Sequence, residues 1–211
     1  MKTITREYQV YSLDELAPKA QEKAYNQWHA TQEYFWEAEN EHTLDEFCSI
    51  FDVKVTDWSV NEYTHYHRFH TTLEEEDDQL KGARLVAYIW NNFGRDIFKA
   101  KTYHAKDNWD KKRESHITVE GEGSCVLTGY YIDEDILGPV YDFLKRPDKN
   151  TTFIDLMDKC LEAFFEAYRR DLEYCYSEEH FQEECAELGS LFLEDGTMFE
   201  REPEYVKLNA A

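Results

Sequence analysis

The stretch "LDELAPKAQEKAYNQWHATQEY" places Leu16, Ala20, Ala24 and Trp28 four residues apart, on one stripe of an α-helix. An apolar stripe of that length has to be covered by another element, so the chain must build at least one helix-packed core. Ser12 followed by Glu15 supplies a capping box ahead of it. Pro18 is compatible with the helix only in its first turn, where a missing N–H costs little. A second stretch, "FIDLMDKCLEAFFEAYRRDLEYCY", repeats the pattern at Phe153, Leu156, Cys160, Phe164 and Ala167 and predicts a long amphipathic helix.

Between these helices the periods change. "TLDEFCSIFD" predicts a short helix through Leu44, Phe47, Cys48 and Phe51. "VKVTDWSV" and "YTHYHRFH" predict two strands joined by a turn near Asn61. "QLKGARLVAYIWNNF" predicts a helix with Leu80, Ala83, Ala87 and Trp90 on its apolar side, starting directly after the acidic run Glu74, Glu75, Glu76, Asp77 and Asp78. The positive end of a helix dipole favours carboxylates there. Lys99 to Arg113 is basic and punctuated by Asp107, Asn108 and Asp110, which predicts a loop. Strands are expected at "ITREYQVYS", "SHITVEGEG" and "SCVLTGYYI", and an interrupted helix at Gly138 and Pro139. Ser177 is expected to start a last helix that stops near Gly189, followed by a D-G hairpin in "LFLEDGTMFERE". The expected architecture is α+β, a single domain over 1–211 with helices packed on a small antiparallel sheet.

The chain has 211 residues, long enough for one sizeable core, and 16% aromatic residues, too many for intrinsic disorder. Lys and Arg number 23 against 45 Asp and Glu, a formal charge of -22. Such a field opposes nucleic acid and steers the protein towards basic surfaces, including those that themselves bind DNA or RNA. Five cysteines without a CxxC pair fit reduced, intracellular thiols. With no apolar segment of signal-peptide or membrane-span length, the expected location is the cytoplasm, that of the host cell if the chain is phage-encoded.

Catalytic signatures are sparse. The sequence has no glycine-rich phosphate loop, GxSxG elbow or HExxH helix. In "HYHRFH" a strand puts His65 and His67 on one face and His70 on the other, so a shared metal needs a bend after Arg68. Glu120 and Glu122 flank Gly121 without accompanying pocket-forming polar groups, and Cys125 reads as a small core residue in an apolar strand. No catalytic residue, metal ligand or cofactor is assigned.

The acidic surface remains. Carboxylates set along a helix can imitate the phosphate field of DNA and compete for a nucleic-acid-binding groove. The candidate partner-binding residues are Glu74, Glu75, Glu76, Asp77 and Asp78, then Glu162, Glu166 and Glu173 on the long helix, and Glu178, Glu179, Glu183, Glu184 and Glu187 beyond it. The competing reading for each patch is a solvated face.

"YSLDELAPKAQEKAYNQW", "LTGYYIDEDILGPVYDFL" and "DLEYCYSEEHFQEECAELGSLFLEDGTMF" together resemble a family from phages and mobile elements, mostly uncharacterised and often labelled antitoxin of a toxin-antitoxin stability system. The resemblance touches both ends and the centre of the chain. It implies an antagonist that binds and neutralises another protein, and phage origin implies equally an inhibitor of host defence of anti-CRISPR or anti-restriction type. The expected function is thus a non-enzymatic acidic inhibitor, a DNA mimic in its surface, of a host or cognate protein with a basic, nucleic-acid-binding surface. Direct nucleic-acid or membrane binding is not expected. The alternatives are an antitoxin neutralising a cognate toxin, and a small metal-dependent enzyme using His65, His67 and His70.

Overall fold

The computed structural model describes residues 7–105, 108–120 and 125–200, with side chains placed for all of these except 75, 76, 99–103, 105 and 108–120. The fold is α+β, helices packed on small antiparallel sheet. By its contacts the chain divides into two compact units, Met1–Tyr34 with Tyr174–Ala211, and Phe35–Glu173.

In the first unit the capping box at Ser12 and Glu15 forms as expected, but it closes a 3-10 turn, Leu13–Glu15, rather than the helix. Helix α1 is Pro18–His29 with Pro18 in its first turn. The proline keeps the residue before it out of the helical region, and Ala17 is extended (ψ 149°), so α1 cannot start earlier. Leu16, Ala20, Ala24 and Trp28 are all buried. They pack with Phe181, Cys185 and Phe192, and the ring centroids of Trp28 and Phe181 lie 5.2 Å apart. The N-terminal strand is reduced, among the described residues, to one bridge, in which Tyr11 exchanges both backbone hydrogen bonds with Phe192. The D-G turn is present at Asp195 and Gly196. Around it Leu193 N–H donates to the Thr197 carbonyl and Phe199 N–H to that of Leu191.

In the second unit α2 is Glu37–Ile50, and the antiparallel pair β1 (Val53–Val60) and β2 (His65–Thr71) turns at Asn61, whose side chain accepts from the amides of Tyr63 and Thr64. The acidic run does not open the next long helix. Glu74 precedes a one-turn helix of its own, α3 (Glu75–Asp78), and α4 (Gly82–Ile97) begins afterwards behind Lys81. The buried side of α4 also differs from the expected one. Leu85, Ile89, Phe93 and Ile97 point inwards while Ala83, Ala87 and Trp90 are exposed. Four large apolar side chains remove far more surface from water than two alanines, and this selects the face. The basic stretch forms strands instead of a loop, β3 (Lys99–Ala105) and β4 (Asn108–Glu120), antiparallel. Of its turn-forming residues Asn108 stands at the junction, paired with Ala105, Asp110 lies within β4, and Asp107 lies outside the described residues.

"SCVLTGYYI" makes no strand among its described residues. The carboxylate of buried Asp133 accepts from the amides of Leu127, Thr128 and Gly129 at 2.8 to 3.0 Å, taking the donors that a strand would need. Cys125 accordingly lies in irregular chain at φ 40°. Its thiol donates towards Glu134, and burial raises its pKa. Helix α5 (Ile132–Lys145) runs unbroken through Gly138 and Pro139. An interior proline costs about 3 kcal/mol, and the burial of Ile136, Leu137, Val140, Tyr141 and Phe143 offsets it. Helix α6 (Phe153–Cys175) buries each of its five expected stripe positions. No helix of the described residues is long and apolar enough to cross a membrane.

Candidate protein-binding site

The array of carboxylates held on a capped helix is α7, Glu178–Leu188. Ser177 caps it by accepting from His180 N–H at 3.1 Å, and Gly189 ends it in the left-handed region (φ 61°), with its amide donating to the Cys185 carbonyl. Phe181 and Cys185 fix which side faces inwards. Glu179, Glu183 and Glu187, spaced four apart, are then exposed on the other side, and Glu178 is exposed at the start of the helix on the same face as Phe181. Glu184 is half-buried and accepts from Trp28 Nε1–H at 2.8 Å, which ties the helix to α1. Glu183 accepts from the Tyr174 hydroxyl at 2.6 Å, a bond that raises the phenol's pKa.

Helix α7 holds five Glu and no Lys or Arg in 11 residues. At about 1.5 Å rise per residue this is one negative charge per roughly 3.3 Å, close to the ~3.4 Å spacing along one DNA strand.

The other expected carboxylates fall into different surroundings. On α6, Glu162 meets His65 Nε2 at 3.2 Å and Asp158 meets His67 Nε2 at 3.1 Å. Glu166 receives two bonds from Arg169, each 2.9 Å, which hold its pKa below the usual carboxylate range. Arg169 also donates to Glu173 at 2.8 Å and to the Glu62 carbonyl. Glu166 and Glu173 are therefore neutralised in part by Arg169, and Glu162 lies against the imidazoles of His65 and His67. In the acidic run Asp78 takes the Thr71 hydroxyl, and Glu74 accepts through its carbonyl from the amides of Asp77 and Asp78. The side chains of Glu75 and Glu76 lie outside the described residues. Neither α7 nor the acidic run 74–78 contains a Lys or Arg, and of the two α7 is the longer helix.

His65 and His67 share the inner face of β2 as their parity requires, both lying parallel to Phe165 at 15°, and His70 is exposed on the other face. Among the described residues no three His, Cys, Asp or Glu side chains are placed to hold a metal ion together. Of the paired carboxylates at Gly121, Glu122 lies outside the described residues, as does the side chain of Glu120.

Sequence reasoning did not single out a groove that α1 and α7 enclose, floored by Leu13, Tyr25, Phe181 and Leu191. The stripe of Phe181 and Cys185 marks its α7 wall, but nothing local marks the residues of α1 opposite. No family model matches the chain, and no curated protein and no solved structure matches it either.

Proposed function

We propose that the protein is a non-enzymatic acidic inhibitor that binds and neutralises a nucleic-acid-handling protein, a host-defence antagonist of anti-CRISPR or anti-restriction type. The observation that carries this reading is α7, a capped helix whose Glu179, Glu183 and Glu187 stand exposed in one row with no Lys or Arg in the helix to neutralise them. A net charge of -22 extends the same field and speeds encounter with a basic partner. Fixed spacing on a helix distinguishes this array from a solvated loop, because a rigid row of charge needs little ordering when it docks. The resemblance to mobile-element antagonists agrees with this class of action. An antitoxin would use the same surface and differ only in its target.

The test is capture from a nuclease-treated bacterial lysate by the immobilised protein and by a variant carrying Glu179→Lys, Glu183→Lys and Glu187→Lys. Circular dichroism serves as the folding control. The wild type is expected to retain a basic, nucleic-acid-handling protein that salt elutes, and the variant to lose it. Equal retention by the folded variant would mean that the acidity serves solubility alone.

A further inference from the structure

Helix α7 also lines a concavity that charge alone does not explain. Helix α7 contributes Glu178, Phe181, Gln182, Cys185, Ala186 and, just past its end, Gly189 to one wall. These positions repeat at three and four residues, the spacing of one helix face. Pro18, Gln21, Glu22 and Tyr25 of α1 do the same on the opposite wall. The enclosed volume is about 730 Å³.

The groove is held open by its own bonds. Gln21 donates to the Leu13 carbonyl at 2.9 Å, the Tyr25 hydroxyl to the Tyr176 carbonyl at 2.7 Å, and the Phe181 ring lies against those of Tyr25 and Trp28. Its floor is apolar, and its charged lining residues are Asp14, Glu22 and Glu178, all exposed carboxylates. No Lys, Arg or His lines it among the described residues. The two lysines of α1, Lys19 and Lys23, do not line it, and Lys23 is paired with Asp195 at 2.7 Å.

These features select an occupant. A small polar ligand would want convergent free polar groups; of the neutral polar lining residues Ser12, Gln21, Gln182 and Ser190, Ser12 is bonded to Glu15 and Gln21 to the Leu13 carbonyl. The α7 wall, Glu178 to Gly189, is about 16 Å long, three turns of helix. The carbonyl end of α7 adds negative potential at one end of the groove. We infer that the groove binds an amphipathic helical segment of the partner, its apolar face on the floor and its Lys or Arg side chains against Asp14, Glu22 and Glu178. The inference rests on the protein-binding reading above and names the chemistry of the partner.

The probe is a fluorescein-labelled peptide of about twelve residues, Leu at helical i, i+3, i+4 and i+7 positions and Lys elsewhere, followed by anisotropy. A scrambled peptide of identical composition carries the same charge without an apolar face. The ordered peptide is expected to bind at least about tenfold more tightly than the scrambled one. Ala186→Trp, at an exposed position on the groove wall, should abolish that difference while the melting temperature stays close to wild type. The pair Glu22→Lys and Glu178→Lys should weaken the ordered peptide without touching the floor.

Equal binding of the two peptides, no binding of either, or an unaffected Ala186→Trp variant would each overturn the groove inference. None of these outcomes bears on the lysate capture, whose own failure with the α7 triple variant would remove the acidic reading instead. Self-association of the wild type on gel filtration, lost in Ala186→Trp, would identify a second copy as occupant and likewise overturn the proposal.

Discussion

Gly196 tolerates no side chain. Its φ of 84° is strained for any residue with a Cβ, and a Cβ added there would lie inside contact distance of the Ala20 carbonyl oxygen on α1. Gly196→Ala should therefore lower stability by about 2 to 4 kcal/mol, the left-handed penalty plus a backbone displacement, read as a shift of the urea midpoint at constant slope. Asp133, 1% exposed, is a second residue of this kind, since three amides and the hydroxyls of Thr43 and Thr128 all donate to it. Removing it in Asp133→Ala leaves several donors without a partner and should cost about 3 kcal/mol, with Asp133→Asn intermediate. Two exposed aspartates make the acid response legible. Asp148 is held down to about 2 by the Thr151 hydroxyl and neighbouring amides, and Asp195 to about 2 by Lys23 and Thr197. Each binds its proton more weakly in the folded chain than in the unfolded one, where an Asp titrates near about 3.9. The stability they add is complete above that pH and is lost as the pH falls towards 2. A Lys23→Met chain should lose the Asp195 part of that acid-dependent decline, which thermal melts between about pH 5 and 2 would detect.

At the scale of the element, the β1 and β2 hairpin meets α6 through imidazoles. The rings of His65 and His67 lie on Phe165, with Glu162 and Asp158 at their outer nitrogens. Replacing His65, His67 and His70 by Ala should lower stability by about 1 to 3 kcal/mol, nearly all of it from the first two, and leave lysate capture intact. Stoichiometric zinc in the wild type, together with lost function in the folded triple variant, would establish the metal reading instead. The same elements show what a sequence discloses. Leu16 to Trp28 and Phe153 to Ala167 are buried where their spacing puts them, because helix period is a local property and a stripe of large side chains has one way to hide. The β2 parity of the three histidines is local in the same sense. On α4 two apolar faces compete, and packing chooses Leu85, Ile89, Phe93 and Ile97 over the smaller alanines. Segment 125–131 reads as strand until the side chain of Asp133 takes its amides, an interaction that no propensity contains. The carboxylate row on α7 was legible, but the groove beside it was not. Its two walls come from opposite ends of the chain, and the pairing of Tyr25 with Phe181 across 156 residues of sequence leaves no periodic trace.

For the molecule as a whole, the imbalance of 45 acidic against 23 basic residues sets what it meets in solution. Repulsion from phosphates opposes approach to nucleic acid, and no counterion release is available to drive binding. In a mobility-shift experiment duplex DNA should show no retention at submicromolar protein and physiological salt. Retention would point to the basic stretch Lys99 to Arg113, where Lys99, Lys101, Lys106, Lys111, Lys112 and Arg113 cluster in sequence, and a chain with these residues exchanged for Gln would identify the source. Towards a basic protein the same field acts with opposite sign, and it acts before contact. Raising the salt from about 50 to 300 mM shortens the Debye length from about 14 to 6 Å, so the association rate with the captured partner should fall steeply. The dissociation rate, governed by packing once the surfaces have met, should change much less. For the variant with Lys at 179, 183 and 187 the salt slope of association should flatten, since three reversed charges weaken the local attraction most where the partner approaches. Surface plasmon resonance across that salt range measures both rates in one experiment. An association rate indifferent to salt in the wild type would mean that the acidic face takes no part in recognition.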